Sequence, residues 1–199
     1  MEELGKVKKI RDLMCGRFTL YDFSKSKLNI KRKVIPNYNI VPNSNVLVID
    51  RNNRITQVKW GISVSWSKKI NIINARSETL DEKKIFSKTQ RCIFLANGYF
   101  EWKRDKVKTP YYHTFRNNML YFAGIKNGDE ACIVTRQSYS NTNIIHERQP
   151  VILDYLDFDK WFLKNHNFEC LNTKNLLIFR VSTEVNNPRN NTINNILKK

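Results

Sequence analysis

Five short segments of the chain carry side chains that could do chemistry together, and they lie at positions 14–18, 73–78, 98–102, 145–150 and 181–186. They contain a cysteine directly after a methionine, an Asn-x-Arg, a carboxylate beside an aromatic residue, and a His-x-Arg. A thiol, a carboxylate and a histidine are enough for nucleophilic and general acid–base catalysis. Arginines and a tryptophan are enough to hold a phosphate backbone and to stack on a base.

The chain is strongly basic, with a formal net charge of +17 from 35 Lys and Arg against 18 Asp and Glu. Such an excess attracts polyanions, and nucleic acid is the first candidate. Lys, Asn and Ile are abundant throughout the chain, so part of this charge reflects a lysine-rich proteome. Charge alone therefore favours a nucleic-acid partner only moderately.

The length of 199 residues suits one domain, and a hydrophobic content of 41% excludes a chain that is disordered by composition. No apolar run is long enough for a transmembrane helix, and the first residues lack the apolar stretch of a signal peptide. We therefore expect a soluble protein with no membrane partner. Its expected location is intracellular, in the cytoplasm or nucleoid, or in the nucleus if the source is eukaryotic.

Four cysteines, Cys15, Cys92, Cys132 and Cys170, lie far apart, and no two have the C-x-x-C spacing of a zinc or redox site. Cys92 and Cys132 lie in apolar, strand-like runs, which predicts buried and reduced thiols. Reduced thiols suit a reducing compartment. The sequence thus predicts no structural metal and no cofactor.

Short strands dominate the predicted structure. We expect them at 45–50, 54–60, 92–96, 99–103, 110–115, 119–125, 131–136, 150–153 and 176–182. Turn residues at 51–53 and 116–118 predict hairpins, and Asn97-Gly98 is a strong turn dipeptide. Closely spaced short strands predict a barrel or a strongly curved sheet. The fold class is α+β, a β-rich single domain with a barrel-like curved sheet core and a few flanking helices.

Three short helices are predicted. One lies within 24–33, and a second runs from a Thr79-x-x-Glu82 capping box to about Ser87. The third begins at Asp157 and carries Trp161, Phe162 and Asn165. No linker divides the chain, and the polar segment 186–199 is expected to be partly mobile.

The order and spacing of the five segments resemble the SRAP (SOS response-associated peptidase) family, whose members start Met-Cys-Gly-Arg-Phe. Further matching pieces are Tyr-Asn-Ile-Val-Pro at 38–42, Trp60-Gly61 followed by Trp66, and the strand Ile-Val-Thr at 133–135. The resemblance implies a β-rich α+β domain over 14–191. It leaves an N-terminal extension at 1–13, absent or removed in the active form, and a polar tail at 192–199.

The resemblance also implies the chemistry. In this family the initiator methionine is removed, so the cysteine becomes residue one and carries a free α-amine beside its thiol. A 1,2-aminothiol condenses with an aldehyde, and a ring-opened abasic site is an aldehyde. A Schiff base forms at C1′, and the thiol then closes a thiazolidine ring. The implied partner is single-stranded DNA containing abasic sites, acted on by a monomer without metal or cofactor.

Four residues would be catalytic by this resemblance. Cys15 is the nucleophile that forms the crosslink, and Glu101 moves protons during Schiff-base formation and ring closure. His146 assists opening of the sugar ring as a general acid or base. Asn74 orients the amine of Cys15 or the sugar.

A second set would contact DNA by the same resemblance, namely Gly16, Arg17, Trp66, Arg76, Trp102 and Arg148. Arg76 and Arg148 would grip the phosphates that flank the lesion, and Trp102 would stack on or wedge against a neighbouring base. For Trp66, a buried core position is an equally good explanation.

The main departure from the family pattern is that thirteen residues precede Met14. With that extension the nitrogen of Cys15 is an amide, which is not a usable nucleophile. Either translation starts at Met14, which we favour, or Cys15, Glu101 and His146 cut the preceding residues away. Two alternatives stay open: a non-covalent single-stranded DNA-binding module, which the charge and aromatic residues alone would support, and a cysteine peptidase with these three residues as its triad.

Overall fold

The computed structural model describes residues 15–103, 107–164, 173 and 175–199. Their strands are β1 (Arg17–Leu20), β2 (Asn37–Ile40), β3 (Asn45–Ile49), β4 (Ile55–Trp60), β5 (Ile62–Val64), β6 (Ser67–Ile72), β7 (Asn74–Arg76), β8 (Gln90–Ala96), β9 (Gly98–Trp102), β10 (Pro110–Thr114), β11 (Leu120–Asn127), β12 (Glu130–Gln137), β13 (Arg148–Pro150) and β14 (Leu177–Arg180). One short α-helix, α1 (Phe158–Phe162), accompanies them in the described part of the chain. The predicted β-rich fold is therefore confirmed, with very little helix.

The first sheet positions the segment of Cys15 beside the segment of Glu101 and Trp102. Its strand order is β14-β10-β9-β1-β2, and every neighbouring pair is antiparallel. In the pairing of β1 with β9, Arg17 lies opposite Phe100 and Phe18 opposite Tyr99. The start of β1 thus meets the end of β9, where Glu101 lies.

The second sheet curls on itself. Its order is β11-β8-β3-β4-β12-β13, and β11 also pairs with β12, so five of its strands form a ring. β7 runs parallel to β12, which places Asn74 opposite Ile133 and Arg76 opposite Thr135. A two-stranded hairpin of β5 and β6 accompanies the two sheets. The curled sheet agrees with the predicted strongly curved core.

Phe18 anchors β1 in the main hydrophobic core. Its ring packs edge-on against Trp60 at 5.0 Å, Phe122 at 6.0 Å and Phe94 at 6.3 Å between ring centroids. Full burial of a phenylalanine contributes about 1.5–3 kcal/mol. The indole nitrogen of Trp60 donates to the carbonyl of Ile73 at 3.0 Å, which also fixes the chain just before β7.

Of the two predicted hairpins, the one at 116–118 is wrong, because β10 and β11 lie in different sheets. The chain passes from the second sheet to the first at Asn97, between β8 and β9, and back again between β10 and β11. Asn97 holds the first crossing because its side-chain oxygen accepts from the backbone N–H of Tyr21 at 2.7 Å and its amide donates to the carbonyl of Asp22 at 2.9 Å. Only the turn at 51–53 joins a strand pair as predicted, β3 with β4.

The helix predictions largely fail. No helix forms within 24–33. Around 79–87 the chain forms only 3-10 turns, at Ser77–Thr79 and Lys84–Phe86. A continuous helix is interrupted there because Lys83 is extended, with φ −78° and ψ 119°. α1 confirms the third prediction, although the carboxylate that caps this region is Asp154, which accepts from the N–H of Leu156 at 3.0 Å. Asn165, expected in the same helix, lies outside the described residues.

The C-terminal segment that we expect to be partly mobile is packed in the structure. It forms 3-10 turns at Thr183–Asn186 and Ile193–Ile196. Asn195 is fully buried, and the backbone N–H of Lys199 donates to the carbonyl of Arg180 at 3.0 Å. The buried amide of Asn39 on β2 holds this segment to the domain, because it donates to the carbonyls of Asn187 and Asn190.

Among the described residues, no helix is both long and apolar enough to cross a bilayer.

Candidate active site

Cys15 and Glu101 form the centre of the site. Cys15 directly precedes Gly16 and β1, and its backbone N–H donates to Oε1 of Glu101 at 2.7 Å. Both residues are buried, with 2% of Cys15 and 4% of Glu101 exposed. The antiparallel pairing of β1 with β9 causes this contact, because it brings the residues before Arg17 next to those after Phe100.

Burial makes the thiol and the carboxyl hold their protons more tightly. Burial raises the pKa of the Cys15 thiol well above its usual value. The charge of Glu101 and the hydrogen bond from the thiol to Glu101 raise this pKa further, whereas the charge of Arg148 lowers it. Burial also raises the pKa of Glu101, against the lowering effects of His146 and of hydrogen bonds from Cys15. The pair is therefore a protonated thiol next to a carboxyl suited to accept its proton.

His146 lies at the edge of this pair. It follows the 3-10 turn Ser140–Ile144 and is 8% exposed. The backbone N–H of Arg148 donates to its Nδ1 at 3.1 Å. Nδ1 also lies 3.3 Å from the carbonyl oxygen of Arg148, so the backbone of Arg148 holds the imidazole ring in place.

Arg148 is engaged before any ligand is present. Its two terminal nitrogens bind the two carboxylate oxygens of Glu78, at 2.8 Å for Nη2 with Oε2, and Nη2 also donates to the carbonyl of Thr135 at 2.9 Å. The guanidinium lowers the pKa of Glu78 to about 2. Glu78 also accepts from the backbone N–H of Gln137 at 3.2 Å. Sequence reasoning gave Glu78 no role, although it lies in the 73–78 segment.

Asn74 and Arg76 lie on β7, on the side of the site formed by β12. They line a cavity of about 340 Å³ together with Trp66, Thr135 and Lys83. Arg76 is exposed, and Trp66 is 69% exposed. Trp66 is therefore not a core residue; the fully buried tryptophans of the described chain are Trp60 and Trp161.

Arg17 and Trp102 form a separate group. Successive residues of a strand point to opposite faces, so Trp102 leaves β9 on the face opposite Glu101. The guanidinium of Arg17 lies 5.9 Å from the centre of the Trp102 ring, and its Nη1 donates to Asn39 and to the carbonyl of Val185, both at 2.7 Å. Half-buried Gly16 links this group to Cys15.

Two asparagines that sequence reasoning missed support this second group. The indole nitrogen of Trp102 donates to Asn186 at 2.6 Å. The buried amide of Asn39 donates to the carbonyls of Asn187 at 3.0 Å and Asn190 at 2.7 Å. Both residues lie in segments that carry the family resemblance, but only the fold shows that they join β9 and β2 to the C-terminal segment.

The structure thus brings together Cys15, Glu101, His146 and Arg148, with Asn74 and Arg76 at the neighbouring cavity. It holds Arg17 and Trp102 on the other face of β1 and β9. Among the residues that the structure describes, no three His, Cys, Asp or Glu side chains group as metal ligands would. The chemistry available is that of a buried thiol, carboxyl and imidazole, with exposed cations and a tryptophan at the cavity.

Comparison with known proteins identifies relatives in a bacterium and in a vertebrate. The protein YoaM of Bacillus subtilis, named an abasic site processing protein, is 33% identical over 218 aligned residues, covering 90% of this chain and 96% of that protein. HMCES of Xenopus tropicalis, which carries the same description, is 30% identical and covers 80% of this chain and 65% of that protein. A crystal structure of a Bacteroides thetaiotaomicron protein has a TM-score of 0.71 at 22% identity, over 83% of this chain and 87% of that chain, and shows a shared fold.

The family model for SOS response associated peptidase matches residues 14–188. That match covers most of the chain and begins at the methionine before Cys15. It includes all five segments that carry the chemistry. The chain therefore belongs to the SOS response associated peptidase (SRAP) family.

Proposed function

We propose that this protein processes abasic sites in single-stranded DNA by forming a covalent crosslink through Cys15. The observation that carries the proposal is the 2.7 Å hydrogen bond between the backbone nitrogen of Cys15 and the carboxyl of Glu101, two residues that are both buried. The relatives named for abasic site processing support DNA as the substrate. The net charge of +17 suits that polyanion, and a DNA substrate implies an intracellular site of action.

The reaction requires that residues 1–14 are absent, so that the Cys15 nitrogen is a free amine. The amine adds to C1′ of the ring-opened sugar, and the aldehyde oxygen leaves as water when the Schiff base forms. The sulfur then adds to the same carbon, and the thiol proton passes to the imine nitrogen. Two new bonds to C1′, one from nitrogen and one from sulfur, complete the thiazolidine.

Glu101 is placed to move each of these protons. It already contacts the nitrogen that attacks, and its hydrogen bond to the thiol contributes to the raised pKa of Cys15. A carboxyl with a raised pKa exchanges protons more readily near neutral pH than an ordinary glutamate. His146 would open the sugar ring as a general acid or base.

The backbone at Cys15 favours loss of the preceding residues. Cys15 has φ +45°, a left-handed conformation that costs a non-glycine residue on the order of 1–3 kcal/mol. That cost exists only while a peptide bond precedes the cysteine, because a terminal amine has no φ. Cleavage before Cys15, whether by an aminopeptidase after initiation at Met14 or by the protein itself, therefore relieves strain in the site.

DNA contact is assigned to the exposed groups around the site. Arg76 and Lys83 are exposed cations at the cavity beside Asn74, and Trp66 offers an open aromatic face there. Cations would hold phosphates and the ring would stack on a base. Arg17, Trp102 and Arg148 would contact DNA only after giving up partners that they hold in the free protein.

Mass spectrometry of the intact protein tests the proposal. The chain beginning at Cys15 is mixed with a single-stranded oligonucleotide that contains one abasic site, and the expected product has the mass of protein plus oligonucleotide less one water. The adduct should resist SDS, and Cys15→Ala should abolish it. The chain 1–199 that keeps its extension is the matched control and should form no such adduct. Salt-sensitive binding without any gain in mass would replace this proposal with a non-covalent binding module.

A further inference from the structure

Tyr99 is a buried tyrosine on the same face of β9 as Glu101. The two residues are separated by one position, so their side chains leave the strand in the same direction. Tyr99 lies opposite Phe18 in the pairing with β1 and is 1% exposed. Its ring stacks on His113 at 4.4 Å and packs edge-on against Phe122 at 5.9 Å between centroids. Ring packing alone would be equally satisfied by phenylalanine.

The hydroxyl of Tyr99 is what packing does not explain. Among the residues that the structure describes, it has no hydrogen-bond partner, although it is shielded from solvent. A buried hydroxyl without a partner is destabilising, and such groups call for a specific reason. Tyr112, on the neighbouring strand β10, shows the usual arrangement, because its hydroxyl is 2.7 Å from the Thr19 hydroxyl.

The surroundings of the Tyr99 hydroxyl indicate its partner. Burial raises the pKa of Tyr99 well above its usual value, and negative charge on Cys15, and to a smaller degree on Glu101, raises it further. The phenol is therefore a permanent O–H donor close to both acidic groups. Glu101 already accepts the N–H of Cys15, whereas the sulfur of Cys15 needs a donor only once it has lost its proton.

We propose that Tyr99 is a further catalytic residue, whose hydroxyl donates a hydrogen bond to the Cys15 sulfur as the thiol loses its proton. This inference rests on the proposed function, in which that sulfur closes the ring on C1′. The donor replaces the proton that passes to Glu101, so the negative charge on sulfur is never left unpaired in an apolar pocket. The hydroxyl is unpartnered in the resting protein because its acceptor is the thiolate.

The rate at which iodoacetamide alkylates Cys15 tests this hydrogen bond without DNA. Rates are measured on the chain beginning at Cys15 between about pH 7 and pH 9, with peptide mass spectrometry to assign the modified cysteine. Two other charged groups act on Cys15, namely Glu101 and Arg148, and both are unchanged in all variants. His113, which stacks on Tyr99, stays neutral in this pH range because burial lowers its pKa to about 3. Tyr99→Phe should alkylate about tenfold more slowly across this range, because less thiolate is present.

Tyr112→Phe is the matched control. It removes a hydroxyl from the neighbouring buried tyrosine, which bonds to Thr19, and should alkylate at the wild-type rate. Its thermal midpoint should fall, whereas that of Tyr99→Phe should hold or rise, because no existing hydrogen bond is lost. Wild-type alkylation by Tyr99→Phe, or an equal loss of thermal stability in both variants, would overturn the inference. If the wild-type protein forms no adduct with abasic DNA, the proposed function fails, but the alkylation rates still decide whether Tyr99 donates to the sulfur.

Discussion

Glu78 binds both terminal nitrogens of Arg148, so the arginine whose charge lowers the pKa of the Cys15 thiol is already paired with an anion in the free protein. The pair is unequal in exposure, because 10% of the Arg148 side chain and 47% of the Glu78 side chain are open to solvent. A phosphate approaching from outside therefore meets Glu78 first. Binding of DNA to Arg148 must displace a carboxylate that has the same bidentate fit.

Glu78→Gln should tighten the binding of single-stranded DNA. The change removes the competing negative charge and releases Arg148 to a phosphate, so the salt dependence of binding should steepen by about one counterion. Fluorescence anisotropy with a labelled oligonucleotide, repeated over a series of salt concentrations, measures both the affinity and the slope.

Glu82→Gln is the matched control for this change. Glu82 is an exposed glutamate four residues away, so its loss alters the net charge equally without touching Arg148. It should tighten binding slightly and leave the salt slope as it was. Identical effects of the two variants would mean that Arg148 stays out of contact with DNA and that only net charge matters.

Acid should weaken the contribution of Glu78 to stability. Its pKa is lowered to about 2 in the folded protein, so the stabilisation is fully present above the ordinary pKa of a glutamate and is lost as pH falls through about 2. Since Glu78 is largely exposed, the stabilisation is on the order of 1 kcal/mol at most. Urea unfolding of wild type and Glu78→Gln should show a difference near neutral pH that disappears toward pH 2. A difference that is constant with pH would assign the effect to packing.

Glu101→Gln should slow crosslinking by roughly 10²-fold or more, because the amide still accepts the N–H of Cys15 but cannot take a proton. Single-turnover rates measured by gel, with DNA affinity measured separately, distinguish this from weaker binding.

The pKa of Glu101 is raised, so the stabilising contribution of Glu101 is complete below the ordinary glutamate pKa and is lost as pH rises through the pKa of the folded protein. The glutamine, which never ionises, should therefore unfold at the same or a higher temperature at neutral pH. A slow variant that has also lost thermal stability would point to a damaged fold.

Much of the β structure could be predicted because it follows from local pattern. Apolar runs such as 92–96 and 131–136 lie within β8 and β12, and the polar residues at 51–53 join β3 to β4. The crossings between sheets could not be predicted, since Asn97-Gly98 would suit a hairpin within one sheet as well as a passage from one sheet to the other. The helix predicted from Thr79 to about Ser87 does not form, because the backbone is extended at Lys83. Burial of Phe86 in the core outweighs the capping signal at Thr79 and Glu82.

The candidate site was accessible from sequence only as a set of residue types. The family resemblance brought Cys15, Glu101 and His146 together, and the pairing of β1 with β9 explains the first contact. Burial of Cys15 could not be foreseen from the sequence, and burial is the main reason why the pKa of its thiol is raised. Partners such as Glu78 for Arg148 and Asn39 for Arg17 are far apart in the chain and need the fold to be found.

Asn39→Ala should destabilise the domain by about 1–3 kcal/mol, because it leaves several buried carbonyls without their donor. It also removes one of the two acceptors of Arg17, so the C-terminal segment should loosen around Trp102. Urea unfolding followed by tryptophan fluorescence measures the loss, with Asn117→Ala as the control, because Asn117 is an exposed asparagine between β10 and β11.

Deletion of residues 192–199 should also destabilise the domain, since it removes the buried Asn195 and the contact of Lys199 with Arg180. Wild-type stability after that deletion would show that the domain ends before residue 192 and that Asn39 alone holds the segment.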